Sequence, residues 1–106
     1  MKTADVIIVG SGASGLFNAL FLPQDYKVIV ITKKEVEESD SFLAQGGISA
    51  LKNPEDYDSY FEDTMKAGHY ENDKGAVEKM IKESPQIIQD LKDFGVRFDL
   101  KDGEIE

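Results

Sequence analysis

The first 32 residues predict an α/β fold built on a parallel sheet, and three observations carry that reading. A β-branched apolar run, Val6-Ile7-Ile8-Val9, ends in a glycine turn, Gly10-Ser11-Gly12-Ala13-Ser14-Gly15. The turn passes straight into a helical pattern. A second apolar run, Lys27-Val28-Ile29-Val30-Ile31, follows. The whole stretch takes about 30 residues, the length of one βαβ unit, and a GxGxxG turn between strand and helix is the fingerprint of a dinucleotide-binding unit of the Rossmann type.

Each element has a local reason. Residues 4–9 are expected as a parallel strand buried on both faces, because the β-branched residues run without a polar break. Gly10 suits the tight turn out of the strand. Gly12, lacking a Cβ, lets the backbone approach a pyrophosphate, and Gly15 lets the helix pack closely on the strand. The helix that opens at Ala13 offers unpaired N–H groups and the positive end of its dipole to phosphate. Residues 13–22 are expected to bury Ala13, Leu16, Phe17 and Leu20 on one face, and Pro23 helps to end the helix. Residues 27–32 are the second strand, reached by a right-handed crossover.

Residues 33–52 fit no clean period. Lys33 to Asp40 is polar, and Ser41 to Ala50 is small, glycine-containing and partly apolar. A long irregular stretch inside a domain is usually functional or disordered, and the apolar content of the second half argues against disorder. Asn53 is then expected to cap a helix with Pro54 at its first position. Tyr57, Tyr60, Phe61, Thr64 and Met65 share one face of it, and Gly68 is expected as its stop. Asn72 or Asp73 starts another helix with Ala76, Val77, Met80 and Ile81 inward. Ser84-Pro85 is expected to restart the pattern as a cap and first position, carried by Ile87, Ile88, Leu91 and Phe94 to Gly95. Val96 to Asp99 is a strand candidate, and Asp102-Gly103 marks a hairpin turn. Two parallel strands are few for a doubly wound sheet, so residues 1–106 are expected to be the N-terminal part of a larger domain.

Composition narrows the chemistry. The chain has 106 residues, no cysteine and a single histidine, His69. Disulfides, thiolate metal sites and histidine clusters are therefore excluded, and no metal site is expected. A net charge of −9 argues against nucleic acid, which needs a basic face. It leaves room for an anion held at a helix N-terminus, where the local field dominates. No apolar run is long enough for a membrane span, and the N-terminus does not read as a signal peptide, so a cytoplasmic location is expected. No residue here is assigned a catalytic role. His69 lies in a helix-ending turn, Ser14 has no base near it in sequence, and the carboxylates form no acid–base pair.

Ser39-Asp40-Ser41-Phe42-Leu43-Ala44-Gln45-Gly46-Gly47-Ile48 adds a second signal. With the glycine turn and Thr32-Lys33 ahead of it, this stretch resembles the FAD-dependent flavoprotein family that contains L-aspartate oxidase and the flavoprotein subunits of succinate dehydrogenase and fumarate reductase. Members carry a Ser/Thr-rich stretch running into Ala-Gln-Gly-Gly-Ile shortly after the second strand. Phe61-Glu62-Asp63-Thr64, the Ser84-Pro85 helix, Gly95-Val96-Arg97-Phe98 and Asp102-Gly103-Glu104-Ile105 are similar to the family at matching spacings. Two departures from wider patterns agree with it. The acidic residue that usually closes the second strand and holds a ribose is replaced by Thr32-Lys33, as in this family, and Glu35 comes too late to serve. Where membrane-bound members place a histidine bonded covalently to FAD, this chain has Asp40.

The resemblance implies non-covalent FAD. It places the pyrophosphate on Ser11, Gly12, Ala13 and Ser14, between Gly10 and Gly15, with Thr32 and Lys33 near the adenosine. Ser39, Asp40, Ser41, Phe42, Leu43, Ala44, Gln45, Gly46 and Gly47 are implied to wrap the pyrophosphate, ribityl chain and ring. Ser39 and Ser41 can hydrogen-bond phosphate or flavin edges, and Gly46 and Gly47 can take backbone conformations closed to other residues. The implied activity is oxidation of L-aspartate to iminoaspartate in NAD biosynthesis, with quinolinate synthase receiving the product. The alternatives are a soluble fumarate reductase or succinate dehydrogenase-type flavoprotein acting on fumarate, and a truncated, non-catalytic nucleotide-binding module. The capping domain that binds the dicarboxylate and a C-terminal helical domain are implied to lie beyond Glu106.

Overall fold

In the computed structural model, which describes residues 1–105, the βαβ unit is present at the expected place. Strand β1 is Val6–Val9, helix α1 is Ala13–Phe21 and strand β2 is Val28–Ile31. The strands pair in parallel, Val6 opposite Val28 through Val9 opposite Ile31. Asp5 fastens the open end of the pair, since its Oδ2 accepts from the Lys27 N–H at 2.8 Å.

Two expectations for this unit are corrected. Strand β1 is not buried on both faces. Val6 and Ile8 are half-buried, whereas Ile7 and Val9 are 60% and 82% exposed. Within this unit α1 lies against β1, on the side of Val6 and Ile8. The face of α1 is also different. Ala13, Leu16 and Leu20 are exposed; Phe17 is half-buried as expected, and with it the small Gly15 and Ala19, one helical turn apart. A Cβ at Gly15 would stand 3.3 Å from Ile8 Cγ2, so at this point the helix approaches the strand without a side chain between them.

The stretch that follows β2 contains a 3-10 turn, Val36–Glu38, and a one-turn helix α2, Asp40–Leu43. This closes the first of two units, Met1–Gly47.

The second unit begins at Ile48 and is helical. A 3-10 turn at Pro54–Asp56 leads into α3, Tyr57–Ala67, and α4 is Lys74–Asp93. Its core is Met65, Val77 and Ile81, with Leu51, Tyr57, Tyr60 and Phe61 packed against it. Asp73 starts α4 as its cap, accepting from the Ala76 N–H at 2.8 Å.

Helix α4 does not restart at Ser84-Pro85 but runs through Pro85 unbroken. The inward stripe is continuous, Val77, Ile81, Ser84 and Ile88, and Met80 points outward. Pro85 has no N–H to give to the carbonyl one turn back, that of Ile81. The Ser84 hydroxyl donates to that carbonyl instead, at 2.7 Å.

The two helices close alike, on different residues. After α4, Gly95 is left-handed (φ +99) and its N–H bonds the Lys92 carbonyl, while the Val96 N–H bonds that of Leu91. This double closure is the Schellman arrangement. Helix α3 ends the same way one residue later than expected. His69 and Tyr70 are left-handed (φ 54 and 59) and bond Lys66 and Met65, while Gly68 is not left-handed. The Tyr70 hydroxyl donates to Glu62 Oε1 at 2.6 Å, which raises the tyrosine pKa from its ordinary value. Residues 96–99 form no strand. A hairpin of β3, Leu100–Lys101, and β4, Glu104–Ile105, turns at Asp102 and Gly103, both left-handed as a two-residue hairpin requires.

Candidate functional site

The site lies where β1 and β2 end. Parallel strands leave their ligand crevice at their carboxyl ends, and here the ladder continues one step past β1 through the Gly10 N–H to the Ile31 carbonyl at 2.8 Å. Gly10 then turns the chain with φ +118, a region that side chains avoid. Gly15 comes back over that turn: a Cβ on it would stand 2.2 Å from the Gly10 carbonyl oxygen. The two glycines thus lock together, and α1 begins directly above the end of β1.

A hydroxyl relay ties the turn after β1 to the turn after β2. Ser11, 6% exposed, donates to Thr32 Oγ1 at 2.9 Å, and Thr32 donates to the Lys34 carbonyl at 2.9 Å. Thr32 is therefore engaged inside the protein and acts by holding the two turns in register. Ser39 caps α2, its Oγ accepting from the Phe42 N–H at 3.2 Å. That cap sets the direction of α2, and Ser41 Oγ accepts from the Ala13 N–H at 2.9 Å. A hydroxyl oxygen thus sits on the first amide of α1. Ser14 and Gly15 follow, and their position in the first turn gives their amides no acceptor within the helix.

Between these elements is an open cleft of about 510 Å³. Of the residues singled out in the sequence, Gly10, Ser11, Gly12, Thr32, Lys33, Ser39 and Asp40 line it. Ala13, Ser14, Gly15 and Ser41 form the start of α1 and its hydroxyl partner beside it. Phe42, Leu43, Ala44, Gln45, Gly46 and Gly47 are not among the lining residues and are exposed. Gly46 and Gly47 are not in the left-handed region that glycine would allow them, and among the described residues a Cβ at either would meet nothing within 4 Å. Nothing in their surroundings forces such a conformation.

The cleft also includes residues that the sequence did not single out: Val9, Ile31, Lys34, Glu35 and Glu38. Glu35, set aside as too late after the second strand, lies on the cleft because the 3-10 turn folds the loop back. The Glu35 N–H donates to Glu38 Oε2 at 3.3 Å, which closes that turn. Lys34 pairs with Glu38 at 3.7 Å on an exposed surface, where such a pair adds little to stability.

The donor set suits a diphosphate. It combines helix-start amides, a serine hydroxyl already seated on one of them and a neighbouring lysine, in a cleft walled by strand ends. Gly12 lies at the mouth, where a Cβ would come within 3.2 Å of Ser41 Oγ. Its bare backbone leaves that space to an incoming oxygen.

Comparison with known proteins agrees with this chemistry. The chain is 45% identical over 98 residues to the L-aspartate oxidase of Clostridium perfringens, covering 92% of this chain and 22% of that protein. It is 46% identical over 96 residues to that of Synechocystis sp., covering 90% and 17%. The chloroplastic L-aspartate oxidase of Oryza sativa is 38% identical over 99 residues, covering 92% and 15%. The chain thus spans at most about a fifth of the length of these relatives. No solved structure matches it. The model of the FAD binding domain family matches residues 5–106, and the chain belongs to that family.

Proposed function

We propose that this chain supplies the nucleotide-binding part of an FAD-dependent L-aspartate oxidase. The observation that carries the reading is the locked glycine turn at the strand ends, with the Ser41 hydroxyl on the first amide of α1. The amides of Ser14 and Gly15 and the Ser41 hydroxyl, itself seated on the Ala13 amide, would hold the pyrophosphate. Ser11 and Thr32 keep the two turns in register, and Lys33 lies toward the adenosine. Residues 39–47 would run along the diphosphate to the ring, with Gly46 and Gly47 leaving their backbone open to a flat surface. Asp40 offers no imidazole to a flavin methyl group, so FAD is held without a covalent bond.

Bound FAD supplies the hydride acceptor, and the protein supplies binding and orientation. Relatives named L-aspartate oxidase support L-aspartate as the substrate, with iminoaspartate as product and quinolinate synthase as the enzyme that takes it on in NAD biosynthesis. Among the described residues no helix is long and apolar enough to cross a membrane, and we place the protein in the cytoplasm. The sheet of only two parallel strands in the first unit and the length of the relatives support residues 1–106 as the N-terminal part of a larger FAD domain, with substrate-binding groups in other segments.

The test uses the full-length protein loaded with FAD. It is expected to oxidise L-aspartate and to release its flavin on denaturation. A protein that reduces fumarate and leaves L-aspartate untouched overturns the substrate assignment. One that binds no FAD overturns the whole reading.

A further inference from the structure

The ribose of a bound dinucleotide offers hydroxyl protons, and an acidic residue closing the second strand usually accepts one of them. Here that place holds Thr32-Lys33. The Lys33 ammonium can only donate. The Thr32 hydroxyl gives its proton to the Lys34 carbonyl and accepts from Ser11, so it is committed within the protein. Among the described residues three acidic side chains line the cleft, those of Glu35, Glu38 and Asp40. Glu38 is engaged at both oxygens: Oε2 accepts from the Glu35 N–H at 3.3 Å, and Oε1 lies 3.7 Å from Lys34 Nζ. Asp40 opens α2, in the stretch read as leading away from the adenosine toward the ring. Glu35 makes no ion pair among the described residues. Its backbone is fixed on both sides, the N–H by Glu38 Oε2 and the carbonyl by the Glu38 N–H at 3.0 Å.

We infer that Glu35 is a cofactor-binding residue: its carboxylate accepts a hydrogen bond from a hydroxyl of the adenosine ribose. The inference rests on reading this cleft as the FAD site with Lys33 toward the adenosine. Along the chain Glu35 comes after the usual acidic position, which Thr32 occupies. The 3-10 turn Val36–Glu38 folds the loop back and sets Glu35 on the cleft, so the turn makes up in space for the extra residues. A carboxylate is an acceptor with no proton to give, which matches a ribose hydroxyl that must donate. The same turn explains the division of labour between the two glutamates. Glu38 holds the turn closed, and Glu35, at its start, meets the ligand.

The test is a thermodynamic cycle between the residue and the ligand hydroxyl. It uses the full-length protein stripped of FAD, with ADP as the probe. ADP is expected to block FAD rebinding, which places it in the cleft. The parent protein is expected to bind ADP about tenfold more tightly than one of two analogues, 2′-deoxy-ADP or 3′-deoxy-ADP, the worth of one hydrogen bond to a charged acceptor. Glu35→Ala keeps the backbone N–H that meets Glu38. It is expected to bind ADP about tenfold more weakly than the parent and to treat ADP and that analogue alike, since the hydroxyl has lost its acceptor. A purely structural role for Glu35 would weaken ADP and both analogues by the same factor and keep the parent's preference. That result overturns the inference, as does a parent protein indifferent to both hydroxyls. Failure of ADP to compete with FAD is a different outcome: it removes the reading of this cleft as the adenosine site, and the inference falls with it. ADP that competes normally, with an undiminished hydroxyl preference in Glu35→Ala, removes the inference alone.

Discussion

Two glycine-bearing stretches of this chain were read from sequence as ligand-binding, and they are built in opposite ways. In residues 10–15 every constraint is internal. Gly10 needs its left-handed backbone, Gly15 has a carbonyl oxygen where its Cβ would be, and Ser11 is tied across to Thr32. In residues 44–47 no glycine is demanded by the protein itself, and the stretch leads to a single hydrogen bond at Leu51. Glycine in the first place is a condition of folding. In the second it is a condition of what the chain meets. The two should therefore respond differently when a side chain is added.

Gly15→Ala is expected to have the largest effect. The new Cβ meets backbone at 2.2 Å, which a rotamer change cannot relieve, and overpacking of this kind costs about 3 kcal/mol. Urea denaturation of the apo protein measures it, and a loss below about 0.5 kcal/mol, the range of an ordinary surface change, would break the contrast. Gly46→Val is expected to do the reverse: apo stability within about 0.5 kcal/mol of the parent but FAD binding lost in a flavin titration. A destabilised apo protein would show that this glycine, too, serves the fold.

The end of α3 is an intermediate case, where the backbone demands glycine and the chain does not supply it. His69 is exposed and left-handed, so His69→Gly should raise stability by about 1 kcal/mol. No gain in thermal denaturation would mean that contacts of the imidazole offset the strain. The smallest effect concerns Tyr70. Its pKa is raised chiefly because its hydroxyl donates to Glu62, with burial and the Glu62 charge adding to it. A group with a raised native pKa gives stability that is full below its ordinary value of 10.0 and is lost as pH rises through the native value. Tyr70→Phe should therefore flatten the fall in stability above about pH 10. An unchanged alkaline slope would remove this bond from the account.

What the sequence revealed follows the same division. β1, the start of α1 and β2 were legible because steric rules for glycine and β-branched residues act over a few positions. The packed face of α1 was read in part: Phe17 is half-buried as expected, but Leu16 and Leu20 are exposed, and the small Gly15 and Ala19 share the inner side. Ser84-Pro85 carried the signature of a helix start, and only the buried hydroxyl, standing in for the missing proline N–H, shows why the helix continues. In the candidate site, Gly10, Ser11, Gly12, Thr32, Lys33, Ser39 and Asp40 were placed on one cleft, but Glu35 was dismissed by distance along the chain. A 3-10 turn shortens that distance in space. The conformation of residues 44–47 was not legible, since no neighbour in the chain dictates it.

The central claim is that the diphosphate of FAD rests on the start of α1 beside Gly12. Its most direct measurement is the FAD dissociation constant of Gly12→Val in the full-length protein, with apo stability measured alongside. Among the described residues a Cβ at Gly12 approaches the side-chain oxygen of Ser41, at 3.2 Å, and no backbone atom within 4 Å. The expected result is therefore a folded apo protein that no longer binds FAD. A folded Gly12→Val protein that binds FAD as tightly as the parent would contradict the account.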